Sequence, residues 1–295
     1  INVPGLYSKE QTESWKQVTK AVHDKGGKIF VQLWHTGRLS HPELHNGELP
    51  HAPSAINPEA KAYVESGFID TVTPKEMTVG EIKATILDFK NSTKNAVEAG
   101  FDGVELHAAN GYLFHQFFNG TSNTRTDEYG GSIENRAKIL FETLDALKDV
   151  ISYSRVGVRL NPSMHGVQGM TVDKDTIATH EYIVKKLNDY GLAYLHLTEP
   201  FTDVSEVPYA VTEVAKHFRP MYNGLLMINK GFTKETGNKV IEDGDADMVA
   251  YGVPFIANPD LVKRFEIDAP LNAPDQSTFY TFTEKGYNDY PKLGE

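Results

Sequence analysis

The sequence predicts an α/β protein built on a parallel sheet, of the TIM-type (β/α)8 barrel class, with only about six of the eight strands visible. Two observations predict this class. Helix and strand patterns alternate along the 295 residues, as they do when each helix crosses back over a parallel sheet. The last four strands also follow one another at intervals of roughly 20 to 40 residues, which suits the strand–helix units of a barrel.

The first helix and strand lie near the start of the chain. Ser8 followed three residues later by Gln11 is typical of a capping box. Three apolar residues at helical spacing give this helix its expected buried face: Trp15, Val18 and Val22. Gly26 and Gly27 end the helix, and the apolar run 28–34 predicts the first strand.

The same unit recurs twice. Thr78 with Glu81 repeats the capping signature, and Ser132 precedes the next helix. The expected buried faces are Ile82, Ile86, Phe89 and Val97 in one helix, and Ile133, Ala137, Leu140, Leu144 and Leu147 in the other. Strands 103–107 and 156–160 follow these helices.

Shorter units close the series. Asp173 is expected to cap a helix that carries Ile177, Val184 and Leu187 and leads to strand 193–197. Strand 225–228 comes next, and a helix near 234–242 leads to strand 247–251. We count six strands in all.

One connection, residues 37–79, is too long for an ordinary loop and is rich in Pro, His and Asn. We expect a functional excursion above the strand ends. No linker indicates a second domain.

Composition narrows the classes of function. The 29 Lys and Arg residues against 40 Asp and Glu give a formal net charge of −11, which disfavours nucleic acid and anionic membrane surfaces as partners. The absence of cysteine excludes disulfides, cysteine nucleophiles and cysteine-ligated clusters. No apolar run approaches the roughly 20 residues of a bilayer span, and no signal-peptide pattern is visible. We expect a cytoplasmic protein that binds a small molecule.

The strongest chemical cluster follows the strand 103–107. His107 and Asn110 lie at its carboxyl end, which faces the ligand mouth in a barrel. Both can direct N–H groups at one oxygen and so polarise a carbonyl or nitro group, while the phenol of Tyr112 can deliver a proton. The competing interpretation is a buried core histidine beside a packing tyrosine.

The run from 107 to 136 resembles the Old Yellow Enzyme family of FMN-dependent ene-reductases. It reads His-x-x-Asn-x-Tyr and continues from position 122 as Ser-Asn-x-Arg-Thr-Asp-x-Tyr-Gly-Gly-Ser-x-Glu-Asn-Arg. Other family-like stretches are 31–35, 158–160, 256–261, 278–280 and 286–291. The resemblance implies that 1–295 form a single flavin-binding β/α barrel domain.

The resemblance also implies a reaction. NADPH or NADH reduces FMN and leaves, and the activated C=C bond of an α,β-unsaturated carbonyl or nitro compound then takes hydride from flavin N5. His107 and Asn110 would hold the substrate oxygen, and Tyr112 would protonate the other alkene carbon. The lack of cysteine argues against the longer relatives that carry an iron–sulfur cluster, such as dienoyl-CoA reductase.

Further residues are matched to the cofactor and substrate. The Gln32 amide would pair with the flavin pyrimidine edge, or instead bond to backbone. Arg159, a cation within an apolar strand, would face flavin N1 and O2, or instead form a buried salt bridge. Trp34 and Tyr280 would line the substrate side, or pack at the rim.

The phosphate is expected on backbone N–H groups of two late turns. The first is Lys230, Gly231 and Phe232, and the second is Gly252 and Val253. In most members of the family that this chain resembles, an Arg directly follows the glycine that corresponds to Gly252. Val253 stands at that position here, so we expect this chain to retain FMN less strongly.

Two alternatives remain open. A metal-dependent barrel hydrolase would use loop histidines, namely His35, His41, His45, His51 and His165, but no His-x-His pair lies on a strand, so we expect no metal.

The family pattern also begins about two strands upstream of this chain, and open barrel edges are unfavourable in water. An N-terminal segment or a second chain would complement the gap, or the chain ends would repack in another arrangement. A homo-oligomer is a further alternative. Otherwise the chain is a truncated, non-catalytic or flavin-poor remnant that binds small ligands.

Overall fold

Six short parallel strands organise the computed structural model, which describes residues 3–281 and 283–294. They are β1 (Phe30–Leu33), β2 (Gly103–Ala108), β3 (Val156–Leu160), β4 (Tyr194–Thr198), β5 (Leu226–Asn229) and β6 (Met248–Ala250). Their order in the sheet is their order along the chain. Among the described residues, β1 and β6 pair only on one side each, so the sheet is open at the seam between them. The expected arc of six strands is confirmed.

Alternation along the strands gives the sheet two different faces. The outer face is apolar and packs against helices: Leu33, Val104, Leu106, Val158, Leu160, Leu195, Leu197, Leu226 and Ile228. The inner face carries polar side chains: Gln32, Glu105, His107, Arg159, His196, Thr198 and Asn229. The hydrophobic core therefore lies outside the sheet, and the chemistry-bearing side chains lie inside it.

Helices cover the outer face. They are α1 (Lys9–His23), α2 (Val79–Glu98), α3 (Leu113–Phe118), α4 (Ile133–Leu147), α5 (Thr176–Leu187), α6 (Val214–Phe218), α7 (Lys234–Glu242), α8 (Val253–Ala257) and α9 (Leu261–Glu266). Both expected capping boxes are present, Ser8 with Gln11 and Thr78 with Glu81. In the described part of the chain, no helix combines the length and apolar character that crossing a membrane requires.

Two details differ from expectation. Asp175, and not Asp173, is the N-cap of α5, because the Asp173 carboxylate instead accepts from the Thr176 hydroxyl at 2.7 Å. Val18 is 42% exposed. The buried residues of α1 are Thr12 and Thr19, and the Thr19 hydroxyl donates to the Ala99 carbonyl at 2.6 Å.

The long connection after β1 forms two small ladders. His51–Ala52 pairs with Lys75–Glu76, and Lys61–Val64 pairs with Gly67–Asp70. Arg38, 1% exposed, donates from Nη1 to the Ile56 carbonyl and from Nη2 to the Gly169 carbonyl beyond β3. The connection is thus fastened to a loop at the carboxyl end of the sheet, which is the expected position.

Candidate active site

Several of the side chains selected from the sequence gather where β1, β2 and β3 end: Trp34, His107, Tyr112 and Arg159. The ladder register places His107 beside Arg159, and Arg159 beside His196. Trp34 directly follows β1, and its indole ring lies 6.4 Å from the His107 ring at an interplanar angle of 24°. One aromatic wall and two polar strands therefore border the same concave surface.

His107 is a neutral imidazole in this setting. It is 4% exposed, and its Nδ1 has no hydrogen-bond partner among the described residues. Burial, and then the positive charge of Arg159, lower the pKa of His107 to about 3. A neutral ring with an unused buried nitrogen can donate to a ligand without bringing a charge into the site.

Asn110 lies just beyond β2 in a left-handed backbone conformation with φ of 55°, and Gly111 follows with φ of 76°. The Asn110 Oδ1 accepts a hydrogen bond from Asn161 Nδ2 at 3.0 Å. Because its oxygen is engaged, the Asn110 amide has its NH2 group free to turn toward a ligand. Asn161 was not among the residues selected from the sequence, although its place directly after β3 marks the ligand-facing end of that strand.

Tyr112 completes the cluster. Its ring meets Trp34 edge-on at 4.7 Å and His107 edge-on at 4.9 Å. Burial, followed by the neighbouring Tyr280 phenol, raises the pKa of Tyr112 above its usual value, against a smaller lowering effect from Gln168. The phenol therefore keeps its proton at neutral pH and can serve as an acid.

A buried amide holds the loop that carries these residues. Gln116, fully buried, donates from Nε2 to the Gly111 carbonyl at 2.6 Å and to the Thr36 carbonyl at 3.0 Å. Its Oε1 accepts from the Arg38 amide at 3.1 Å. The Gly111 N–H in turn donates to His115 Nδ1 at 3.1 Å. The loops after β1 and β2 are thereby joined.

A buried carboxylate lies deeper in the concave surface. Glu105 accepts from Gln32 Nε2 at 2.5 Å and pairs with His196 Nδ1 at 2.9 Å. Burial alone would raise the pKa of Glu105, but hydrogen bonds from His196 and Gln32 and the charge of Arg159 lower it to about 2. Within the described chain Arg159 makes one long hydrogen bond, from Nε to Thr198 Oγ1 at 3.5 Å.

The two late turns are open to solvent. Lys230 and Gly231 both have positive φ, 89° and 81°, and a Cβ on Gly231 would meet no atom within 4 Å. The Lys230 ammonium lies 5.3 Å from the centroid of the Phe201 ring, and Phe232 packs against the core. In the second turn Gly252 is the N-cap of α8 and Val253, 43% exposed, is its first residue.

The loop histidines make other contacts. His45 Nε2 lies 2.8 Å from the Ser40 hydroxyl, and His35 and His165 accept backbone N–H groups through Nδ1. Across residues 3–281 and 283–294, no group of three His, Cys, Asp or Glu side chains is arranged to hold a metal ion.

Comparison with known proteins decides the family. Residues 1–272 match the sequence profile of the NADH:flavin oxidoreductase / NADH oxidase family. 12-Oxophytodienoate reductase 1 of Oryza sativa subsp. japonica is 43% identical over 297 residues, which are 99% of this chain and 76% of that protein. The structure of morphinone reductase superposes with a TM-score of 0.91 at 40% identity, covering 99% of this chain and 79% of that one.

The chain belongs to the Old Yellow Enzyme family. An Old Yellow Enzyme homologue from Zymomonas mobilis agrees, with a TM-score of 0.92, 37% identity and coverage of 98% and 81%. Morphinone reductase has also been solved in complex with tetrahydroNAD. Membership confirms the barrel class and an FMN-dependent ene-reductase that uses a nicotinamide reductant, over the alternative of a non-catalytic remnant.

The inner face of this Old Yellow Enzyme family member fits FMN. Besides His107 Nδ1, two polar atoms of this face are buried and lack partners among the described residues: His196 Nε2 and Asn229 Oδ1. A flat ring system with hydrogen-bonding groups along its edge would satisfy atoms of this kind, and Gln32 and Arg159 supply further donors on the same face.

Proposed function

We propose that this chain reduces the C=C bond of α,β-unsaturated carbonyl or nitro compounds, with His107 and Asn110 holding the substrate oxygen. The observation that carries this proposal is the pairing of a neutral, unpartnered imidazole nitrogen with an amide whose oxygen is already engaged by Asn161. Two donors converge where negative charge develops as the alkene is reduced. Such donors stabilise the transition state more than the ground state.

Bound FMN would supply the hydride. Gln32 and Arg159 would hold its ring system, and backbone N–H groups of two turns would hold its phosphate: Lys230, Gly231 and Phe232, and Gly252 and Val253. The positive φ values at Lys230 and Gly231 support this role, because successive N–H groups in such turns form anion-binding concavities.

Tyr112 would deliver the proton. Its raised pKa keeps the phenol protonated. Its edge-on contact with Trp34 fixes the ring beside the two proposed oxygen-binding donors, His107 and Asn110, which together form the clamp. Trp34 would form one wall of the substrate site and Tyr280, 81% exposed, its outer rim. The influence of Tyr280 on the pKa of Tyr112 supports their proximity.

The finer assignments are also proposals. Residues 1–295 would act as one flavin-binding domain, with NADPH or NADH as reductant and an electrophilic alkene as its small-molecule partner. The charge of −11 supports the absence of nucleic-acid and membrane partners. A cytoplasmic location is also part of the proposal. The unpaired edges of β1 and β6 support a complementing segment or a homo-oligomer.

The clamp is tested by replacing both donors. We expect the double variant His107→Ala and Asn110→Ala to bind phenols more weakly and to reduce alkenes at least about a hundredfold more slowly, the usual loss for one or two such donors. FMN should stay bound. The measurements are turnover of an enone, titration with a phenol followed by its long-wavelength charge-transfer band, and the flavin spectrum.

A matched control is His41→Ala with Asn46→Ala. These residues lie on the excursion, and Asn46 shares the left-handed backbone of Asn110, with φ of 53°. This control should leave phenol affinity and turnover unchanged. Unchanged turnover in the His107 and Asn110 variant would exclude the clamp.

A further inference from the structure

Asn161 is a buried amide with one unused end. It directly follows β3 and is fully buried. Its Nδ2 donates to Asn110 Oδ1 at 3.0 Å, and its own Oδ1 has no hydrogen-bond partner in the part of the chain that the structure describes. A fully buried amide with an unsatisfied oxygen is costly. Its retained contact with Asn110 therefore calls for a functional explanation.

We propose that Asn161 is a positioning residue that sets which end of the Asn110 amide faces the substrate. This inference rests on the clamp proposed above. The two ends of a carboxamide have nearly the same shape, so hydrogen-bond partners decide the orientation. An engaged oxygen leaves NH2 for the substrate, whereas the reversed amide would present an oxygen to the substrate oxygen and repel it.

The main-chain hydrogen bonds around Asn110 do not determine which way its side-chain amide is turned. Gly111, the next residue, is held at its N–H by His115 and at its carbonyl by Gln116. These bonds hold the main chain next to Asn110 in place, but nothing in them distinguishes the oxygen of the Asn110 amide from its nitrogen. The hydrogen bond from Asn161 makes that distinction.

The test is a pair of substitutions with opposite chemistry. Asn161→Leu removes the donor, so both orientations of the Asn110 amide become accessible. Asn161→Asp replaces the donor with an acceptor of the same shape, which favours the reversed amide. We expect Asn161→Asp to weaken phenol binding and to lower kcat/KM about tenfold or more, which corresponds to about 1.4 kcal/mol. We expect Asn161→Leu to lower phenol affinity and kcat/KM only a fewfold.

The same substitutions in the Asn110→Ala background separate orientation from other effects. With no amide to reverse, Asn161→Asp should cause no further loss of phenol affinity. A direct effect of the new carboxylate on the flavin or on stability would persist in that background. FMN affinity, measured by flavin fluorescence, should stay unchanged in every variant.

Asn119→Asp controls for a buried carboxylate. Asn119 is 2% exposed and donates from Nδ2 to the Thr171 carbonyl at 2.7 Å. We expect this variant to lose stability without a change in phenol affinity.

Three outcomes are decisive. A tenfold loss in Asn161→Asp that vanishes in the Asn110→Ala background supports the proposal. If Asn110→Ala slows turnover while Asn161→Asp matches Asn161→Leu or the wild type, the orienting role is wrong and the clamp stands. If Asn110→Ala itself changes neither phenol binding nor turnover, the clamp fails and the orienting role fails with it.

Discussion

At the scale of single residues, Val253 directly follows Gly252 in the second turn that we propose holds the FMN phosphate. It begins α8 and is 43% exposed. Because its side chain is apolar, it offers a phosphate neither a charge nor a hydrogen bond. Backbone N–H groups, with Lys230 as the proposed cation, would then hold the phosphate without a guanidinium at position 253. Hydrogen bonds to charged groups are the stronger ones.

We therefore expect Val253→Arg to tighten FMN binding by about 1 to 3 kcal/mol, the contribution of one hydrogen bond to a charged group. FMN dissociation constants of the wild type and the variant measure this directly. Val262→Arg is the matched control, because Val262 is also exposed, at 69%, but lies on α9. Equal FMN affinities of Val253→Arg and the wild type would refute the prediction.

Candidate active-site residues that lie close together in the sequence could be recognised from it. His107, Asn110 and Tyr112 fall within one short motif, so their roles could be predicted before any coordinates. The role of Asn161 could not be predicted in this way, because its partner Asn110 lies 51 residues away in the sequence. A contact of that kind depends on the register between β2 and β3, which no local pattern encodes.

At the scale of elements, the loops after β1 and β2 behave as one unit because Gln116 bridges them. Its Nε2 donates to the carbonyl of Thr36, 80 residues earlier in the chain, and to the carbonyl of Gly111, 5 residues earlier. Trp34 lies on one side of this bridge and Tyr112 on the other, and their rings touch. We therefore expect the fully buried Gln116 to fix the distance between Trp34, the proposed substrate wall, and Tyr112, the proposed proton donor.

Gln116→Met keeps the shape but removes these bonds. We expect a loss of about 1 to 3 kcal/mol of unfolding free energy, and a drop in phenol affinity and kcat of about tenfold with FMN still bound. Asn123→Leu is the control, because Asn123 Nδ2 also donates to two carbonyls, of Phe117 and Tyr129, each at 2.8 Å. Equal phenol affinities in the two variants would contradict a role of Gln116 in positioning.

Element boundaries were predictable where local chemistry is strong. The capping boxes of α1 and α2 and the strand β3 agree with the expected positions. Val18 was wrongly assigned to a buried face, because α1 buries threonines and binds Ala99 through a hydroxyl. The start of α5 was misplaced by two residues, because the Asp173 carboxylate accepts from the Asp175 N–H and the Thr176 hydroxyl ahead of the helix.

At the scale of the whole molecule, buried histidines make the fold sensitive to acid. Burial, the largest cause in each case, lowers the pKa of His35 and His180 to about 4 and that of His115 well below 6.5. Each of these rings is neutral when folded and takes up a proton more readily when unfolded. The stability that they contribute is complete above pH 6.5 and is lost as pH falls toward the folded pKa.

The unfolding free energy should fall between pH 6.5 and about 4.5, with each such histidine adding about 1.4 kcal/mol per pH unit. His180→Phe removes one of these proton sites from a fully buried position. Urea unfolding across this pH range should show a shallower decline for His180→Phe than for the wild type. Parallel declines would show that His180 does not contribute.

The two-sided character of the sheet has a consequence for how this enzyme can be altered. The outward-pointing residues belong to the hydrophobic core, whereas inward-pointing ones such as Gln32 and His196 line the proposed FMN site. Because neighbours along a strand belong to different faces, a library restricted to every second position would vary catalysis and selectivity while sparing the scaffold. Retargeting this fold to new alkenes is then a search over a small, physically separate set of side chains.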